Sequence, residues 1–348
     1  MEHHHTREHV WGIVLAAGSG TRVLPFLTQL CGGRGIKQFC AVTGRRSMLQ
    51  HTLARAEKLI PRERIIVIVS SKDRAEVAQQ LPDWPEHNVI YQPANRETAP
   101  GILLPLAHIS RRDAAATVAV FPSDHFVLNE EKFLSYVLRA IAEADEHRDA
   151  LILLGMSPDG PEEGYGWIEP DGEQSSGGTF GVRRFWEKPS RPRAEELFTK
   201  RALWNTFVFA AKADTIWNMV LQAAPDLYHA FSSVCLMLQS HHARPYIEHV
   251  YRNLRSVNFS SEICRPLANR LRVLPVPDVG WSDWGSAERI CASLKTIGKL
   301  QECVDRLKRR SADPRLIELI ATHLAAPRGK KSSSIDPPTA RPFRGATV

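Results

Sequence analysis

Near the start of this 348-residue chain an apolar run, Val10 to Ala17 (VWGIVLAA), passes without interruption into Gly18-Ser19-Gly20-Thr21-Arg22. A strand with no polar face must be covered on both sides, as a central strand of a parallel sheet is when helices pack on each face. The run is far shorter than the roughly 18 apolar residues that a membrane helix requires. His3, His4 and His5 precede it, where a secretory leader would carry Lys or Arg. We therefore expect Val10–Ala16 to be a buried strand of a cytoplasmic protein with no membrane partner.

Downstream the pattern alternates between helical and strand periods, the signature of an α/β fold with a mostly parallel sheet. Met48, Leu49, Leu53 and Ala56 recur at helical spacing, and 65–69, 89–91, 117–121 and 150–154 read as strands. Helices are predicted over 73–81, 99–109 and 130–146. The Gly/Ser-rich stretch 171–181 reads as a loop between strands at 167–169 and 182–186. A strand at 204–210 and helices across 212–240 and 284–298 complete a single domain over residues 1–300. Residues 301–326 are expected to form a helical extension, and the Pro/Ser-rich residues 327–348 a basic disordered tail.

The formal charge of +7 is confined to that end: residues 306–348 alone carry it, with ten Lys/Arg against three Asp/Glu. The body is neutral, so nothing in it asks for a nucleic-acid partner. The six cysteines show no C-x-x-C pair and no zinc spacing, and read as reduced, mostly buried thiols.

A glycine loop after a strand lets backbone N–H groups approach phosphate oxygens. The dinucleotide fingerprint fails here, because position 23 is Val and no Asp or Glu occurs between Glu8 and Glu57 to hold a ribose. That acid-free stretch instead carries Arg22, Arg34, Lys37, Arg45, Arg46 and Arg55. Cations beside a phosphate cradle suit a triphosphate whose leaving pyrophosphate must be stabilised.

Residues 16–22 (AAGSGTR) with Lys37-Gln38-Phe39 resemble the opening motif of the sugar-1-phosphate nucleotidyltransferases, and of the mannose-1-phosphate guanylyltransferase family in particular. Five further segments follow in the family's order, so the likeness covers residues 10–298: Gln92-Pro93 through Thr98-Ala99-Pro100, Phe121-Pro122-Ser123-Asp124-His125, Gly164-Tyr165-Gly166-Trp167, Trp186-Glu187-Lys188-Pro189 with Trp204-Asn205-Thr206, and Gly280-Trp281-Ser282-Asp283-Trp284-Gly285. The interval from Arg22 to Lys37 is longer than usual, Ile36 replaces a Pro, and Phe207 replaces a common Gly.

The resemblance implies a Rossmann-like three-layer nucleotidyltransferase fold around a mostly parallel, mixed central sheet. It implies that Gly18, Gly20, Thr21, Arg22, Lys37, Gln92 and Thr98 bind the nucleotide. Thr98 also reads, on local grounds, as a helix N-cap. Tyr165, Gly166, Glu187, Lys188 and Asn205 would bind the sugar phosphate. Glu187 and Lys188 would point opposite ways on a straight strand, so a bend helped by Pro189 is expected. Asp124 and Asp283 would hold Mg²⁺, and Arg22, Lys37, Asp124 and Lys188 would carry the catalysis. GTP and mannose 1-phosphate are the implied substrates and partners. No pattern selects guanine on physical grounds, so another nucleotide or hexose, or a non-catalytic sugar-nucleotide sensor on the same fold, stays open, as does a homo-oligomer.

Overall fold

The computed structural model describes residues 8–310 together with 313–315, 318 and 320. The expected tail at 327–348, the His3–His5 run and most of 311–326 lie outside the described residues. Strand β1 (Val10–Ala16) lies at the heart of a nine-stranded sheet, between β2 (Ile65–Ser70) and β4 (Thr117–Pro122), parallel to both. Its side chains alternate between two cores. Trp11 and Ile13 enter one face, and Val10, Val14 and Ala16 the other, which is why the run carries no polar position. Strand β3 (Val89–Gln92) extends this half, parallel to β2.

The other half comprises β6 (Leu151–Met156), β7 (Gly166–Asp171), β8 (Phe180–Glu187), β9 (Leu203–Lys212) and β10 (Leu271–Val276), in the order β3-β2-β1-β4-β9-β6-β10-β8-β7. Strands β8 and β9 run against the rest, so the sheet is mixed with most strands pointing one way. Strand β7 also pairs with β9, closing this half on itself. The short β5 (Phe126–Val127) and β11 (Trp281–Ser282) form a separate antiparallel ladder.

Helices cover both faces, giving the three layers. Helices α4 (Thr98–Arg112), α7 (Ala213–Ala223), α8 (Pro225–Met237) and α9 (Ala243–Asn253) pack over one. Helices α2 (Met48–Ala56), α3 (Arg74–Gln80), α5 (Glu130–Glu146) and α6 (Arg191–Thr199) pack over the other. A third, smaller core joins α1 (Leu24–Cys31), α10 (Ala287–Thr296) and α11 (Leu300–Arg309) around Trp284.

Helix α5 spans the residues its amphipathic pattern marks, with Asn129 capping the N–H of Lys132. Thr98 differs from expectation. The cap position is Glu97, at φ +68° and with no side-chain cap bond. The Thr98 hydroxyl instead accepts from the backbone N–H of Phe259 at 2.8 Å, and Ala99 N–H donates to the Val257 carbonyl. A distant segment supplies what a local cap would have. Strand β10 forms over residues to which the sequence reading assigns no element. Its pairing with β8 covers only Arg272 and Val273, and Pro275 lies beyond that stretch, opposite Gly155 on β6.

Leu307 is fully buried in the third core, whereas Leu236 is 77% exposed. Leu307→Ala should lower unfolding free energy by about 2–5 kcal/mol in urea titrations, and Leu236→Ala by no more than about 0.5 kcal/mol. Equal, small losses would show that α11 does not stabilise the body.

Candidate active site

The glycine loop leaves β1 at the carboxyl end of the sheet, where open α/β sheets bind ligands. Gly20 adopts φ +57°, and a Cβ there would lie 2.9 Å from the Cβ of Lys37. Glycine is thus required twice, by backbone conformation and by contact. The buried Gln38 donates from its amide to the carbonyls of Ala16 and Gly18 at 2.9 and 3.0 Å, tying the turn that carries Lys37 beneath the loop. Thr21 and Arg22 begin the next turn, with the Arg22 side chain 61% exposed. Arg34 and Arg55 are engaged elsewhere. Arg34 pairs with Asp73 and Glu76, and the buried Arg55 with Glu130 of α5.

Lys37 is 5% exposed and spans two loops. Its Nζ donates to Asp124 Oδ2 at 2.8 Å and to the backbone carbonyl of Asp283 at 2.5 Å. Burial opposes ionisation of Asp124, yet the Lys37 ammonium holds its carboxyl below the usual carboxylate range. His125 is driven down to about 4, foremost by burial, so its ring is neutral near pH 7. Its Nδ1 accepts from the Trp281 indole at 3.3 Å.

The Asp283 carboxylate is held from several sides. Oδ1 accepts from Arg289 Nη1 at 2.7 Å, from Gly285 N–H at 2.9 Å and from the Tyr165 hydroxyl at 3.1 Å. Oδ2 faces Arg22 at 3.9 Å. Burial pushes this carboxyl up, but Arg289, His125 and Lys37 together bring it below the usual range. Arg289 also pairs with Glu162 at 2.8 Å and lies 4.2 Å over the Tyr165 ring. Sequence reading missed Arg289 and Glu162. One signal was there: Arg289 stands in the first turn of α10, after the Ser286 cap, where a cation opposes the helix dipole.

Three residues assigned to the sugar phosphate form one row across the sheet. Gly166 on β7 pairs with Glu187 on β8 and with Asn205 on β9. A Cβ on Gly166 would lie 3.2 Å from Glu187 Oε2 and 3.3 Å from Asn205 Cβ, so glycine keeps the row open. Tyr165 precedes it and packs, tilted, between Trp204 and Trp281, with ring centroids at 4.7 and 5.2 Å. The expected bend falls on Lys188, the residue before Pro189. Lys188 takes φ +45° just past the end of β8, and its Nζ comes back to 3.5 Å from Glu187 Oε1. Phe207 keeps the left-handed backbone a glycine would supply, at φ +58°, while its N–H donates to Asn205 Oδ1.

Arg22, Lys37, Asp124, Asp283 and Tyr165 are therefore linked by direct contacts, and Gly166, Glu187, Lys188 and Asn205 adjoin them through Tyr165. Among the described residues no hydrogen bond or ion pair joins Gln92 or Thr98 to either group. Gln92 is buried at the end of β3 with its Oε1 unpaired, and the Thr98 hydroxyl serves Phe259. Gly20→Ala should cost roughly 1–3 kcal/mol through its left-handed backbone and displace Lys37. A melting temperature equal to that of the parent protein would show that the loop and Lys37 are not packed in this way.

Among curated relatives, the chain is 29% identical over 292 residues to mannose-1-phosphate guanylyltransferase 2 of Escherichia coli O157:H7, covering 79% of this chain and 58% of that protein. It is 32% identical over 223 residues to a mannose-1-phosphate guanylyltransferase of Klebsiella pneumoniae, covering 63% of this chain and 46% of that one. The chain thus spans about half the length of these relatives. A crystal structure from Thermus thermophilus, described as a mannose-1-phosphate geranyltransferase, superposes with a TM-score of 0.69 at 26% identity, covering 80% of this chain and 76% of the other. The model of the nucleotidyl transferase family matches residues 11–298, which take in the glycine loop, both aspartate loops and the Glu187–Gly166–Asn205 row, and the chain belongs to that family.

Proposed function

We propose that this protein transfers the GMP group of GTP to mannose 1-phosphate, giving GDP-mannose and pyrophosphate. The observation that carries this reading is the convergence of a glycine loop, two cations and two carboxylates beside an open row of polar side chains. Sugar and base follow the names of the relatives above.

In this reading a phosphate oxygen of the sugar phosphate attacks the α-phosphorus of GTP in line, and the bond to pyrophosphate breaks. The nucleophile is already an anion, so the protein's work is alignment and charge neutralisation rather than proton abstraction. The backbone of Gly18, Gly20 and Thr21 would cradle the triphosphate, with Arg22 and Lys37 taking up charge on the leaving side. Gln92 and Thr98 would lie on the nucleoside side. Glu187 and Asn205 would bond hexose hydroxyls across the gap left by Gly166, and Lys188 would grip the sugar's phosphate.

The two carboxylates suit a divalent cation. Among the described residues no cluster of three or more His, Cys, Asp or Glu could hold a metal by itself. Mg²⁺ in phosphate chemistry, however, takes only one or two carboxylates and completes its shell with substrate oxygens. Asp124 Oδ1 lies 3.9 Å from the neutral His125 ring, and Asp283 Oδ2 3.9 Å from the Arg22 guanidinium. Asp124 and Asp283 would hold the ion, whose charge reduces repulsion between the two anionic substrates. Arg289, Tyr165 and the Gly285 N–H fix the Asp283 carboxylate and so set the direction of its free oxygen.

Pyrophosphate release from GTP, UTP, dTTP, ATP and CTP against a panel of hexose 1-phosphates should be fastest for GTP with mannose 1-phosphate. A different nucleotide preferred by about an order of magnitude in kcat/KM would overturn the specificity, and no release from any pair would overturn the reaction. Asp124→Asn and Asp283→Asn should each abolish most turnover, with a double variant little worse than either alone because both serve one ion. Additive losses would refute the shared site. Lys188→Ala should raise KM for mannose 1-phosphate about ten- to 150-fold, the loss of charge-assisted contacts worth roughly 1.5–3 kcal/mol, and leave GTP little affected. Lys37→Ala should do the reverse, and equal effects on both substrates would refute this division.

A further inference from the structure

Cys31 closes α1, and Cys40 follows the turn that carries Lys37, so two thiols bracket the lysine in sequence. They also come together in space: the Cys31 sulfur donates to the carbonyl of Ala41, the residue after Cys40, at 3.7 Å, and both thiols pack in the third core, Cys40 buried and Cys31 half-buried. Arg306 of α11 reaches into this corner. Its guanidinium donates to the carbonyls of Ala41 and Val42 at 2.9 and 3.1 Å, and to the Cys31 sulfur at 3.8 Å. Arg310 adds a second guanidinium against Gly32, one residue from Cys31. Cations beside a half-exposed thiol favour the thiolate, the form that reacts with oxidants. The hydrogen bond with Cys40, opposed by burial and aided by Arg306 and Arg310, holds the Cys31 thiol below its usual range, while Cys40 is pushed up. Cys303 is the third sulfur in this corner.

We propose that Cys31 and Cys40 form an oxidative modification site, at which hydrogen peroxide joins them in a disulfide that closes residues 31–40 around Lys37 and disables it. The Cys31 thiolate attacks one peroxide oxygen, the O–O bond breaks, and the sulfur becomes a sulfenic acid while the departing hydroxide takes up a proton to leave as water. Cys40, giving up its proton, then attacks that sulfur. The S–S bond forms, the S–O bond breaks, and a second water leaves. Two thiols lose two electrons and one peroxide becomes two waters. The bridge would pull Cys31 away from Arg306 and strain the turn in which Gln38 and Gly20 position Lys37.

The loss of activity rests on the role proposed for Lys37, whereas the disulfide does not. Reduced full-length protein is treated with hydrogen peroxide, alkylated, and digested for non-reducing peptide mass spectrometry. A Cys31–Cys40 bridge should form first and be reversed by dithiothreitol. Pyrophosphate release should fall in step with it by about ten- to hundredfold, as for a misplaced substrate-binding group. Cys31→Ser should keep its activity through the same treatment, and Cys40→Ala repeats the test at the buried position. No such bridge, or a first bridge from Cys31 to Cys303, overturns the site. A complete Cys31–Cys40 bridge with unchanged turnover overturns its link to Lys37. The mass-spectrometric arm is read whatever the substrate, so failure of the assigned reaction and failure of the thiol site are distinguishable.

Discussion

An ammonium taken out of water must find partners where it is placed, and Lys37 finds them on two loops that are remote in the chain. Its Nζ joins the Asp124 carboxylate, 87 residues away, to the Asp283 carbonyl, 246 residues away. The glycine loop lies directly above, because Gly20 has no side chain to hold it off. Removing one partner of such a buried pair leaves an uncompensated charge, so these loops hold their relative positions together or not at all. Lys37 thereby ties the spacing of the two aspartate loops to the position of the glycine loop.

Around this centre the two halves of the sheet contribute differently. The parallel half offers the open end of β1 and β4, which delivers loops with backbone donors and a carboxylate. The closed half offers a row of side chains from three neighbouring strands, spaced by Gly166. The two meet at Tyr165, whose ring packs between two indoles and whose hydroxyl donates to Asp283. Arg289 fastens the seam, since one guanidinium bonds both Asp283 and Glu162 and covers the Tyr165 ring. Its planar fork suits that triple duty in a way a lysine's point charge would not.

The strand entering the glycine loop, the parallel order around it and the amphipathic α5 were legible because burial on both faces, turn chemistry and helical period each act over a few residues. The same local signals put Lys37, Asp124 and Asp283 on loops, and likeness to a family gave them roles. Local reasoning failed where distant atoms replace local ones. Phe259 takes the hydroxyl of Thr98, which had read as a cap. The bend beside Pro189 was legible, but not that Lys188 would carry it in left-handed geometry, which a residue before proline ordinarily avoids.

By itself the sequence determined the kind of sheet, the loop at its open end and which residue types stand there, because these follow from periodicity and backbone chemistry. Only the tertiary structure decided which charges meet. Arg34 and Arg55, equal to Lys37 in an acid-free stretch, are drawn to acids on α3 and α5, while Lys37 alone faces both aspartate loops. Arg306 finds Cys31, 275 residues away, only once α11 packs beside α1. Charge pairing in a folded chain depends on distance through space, and separation along the chain carries no record of it.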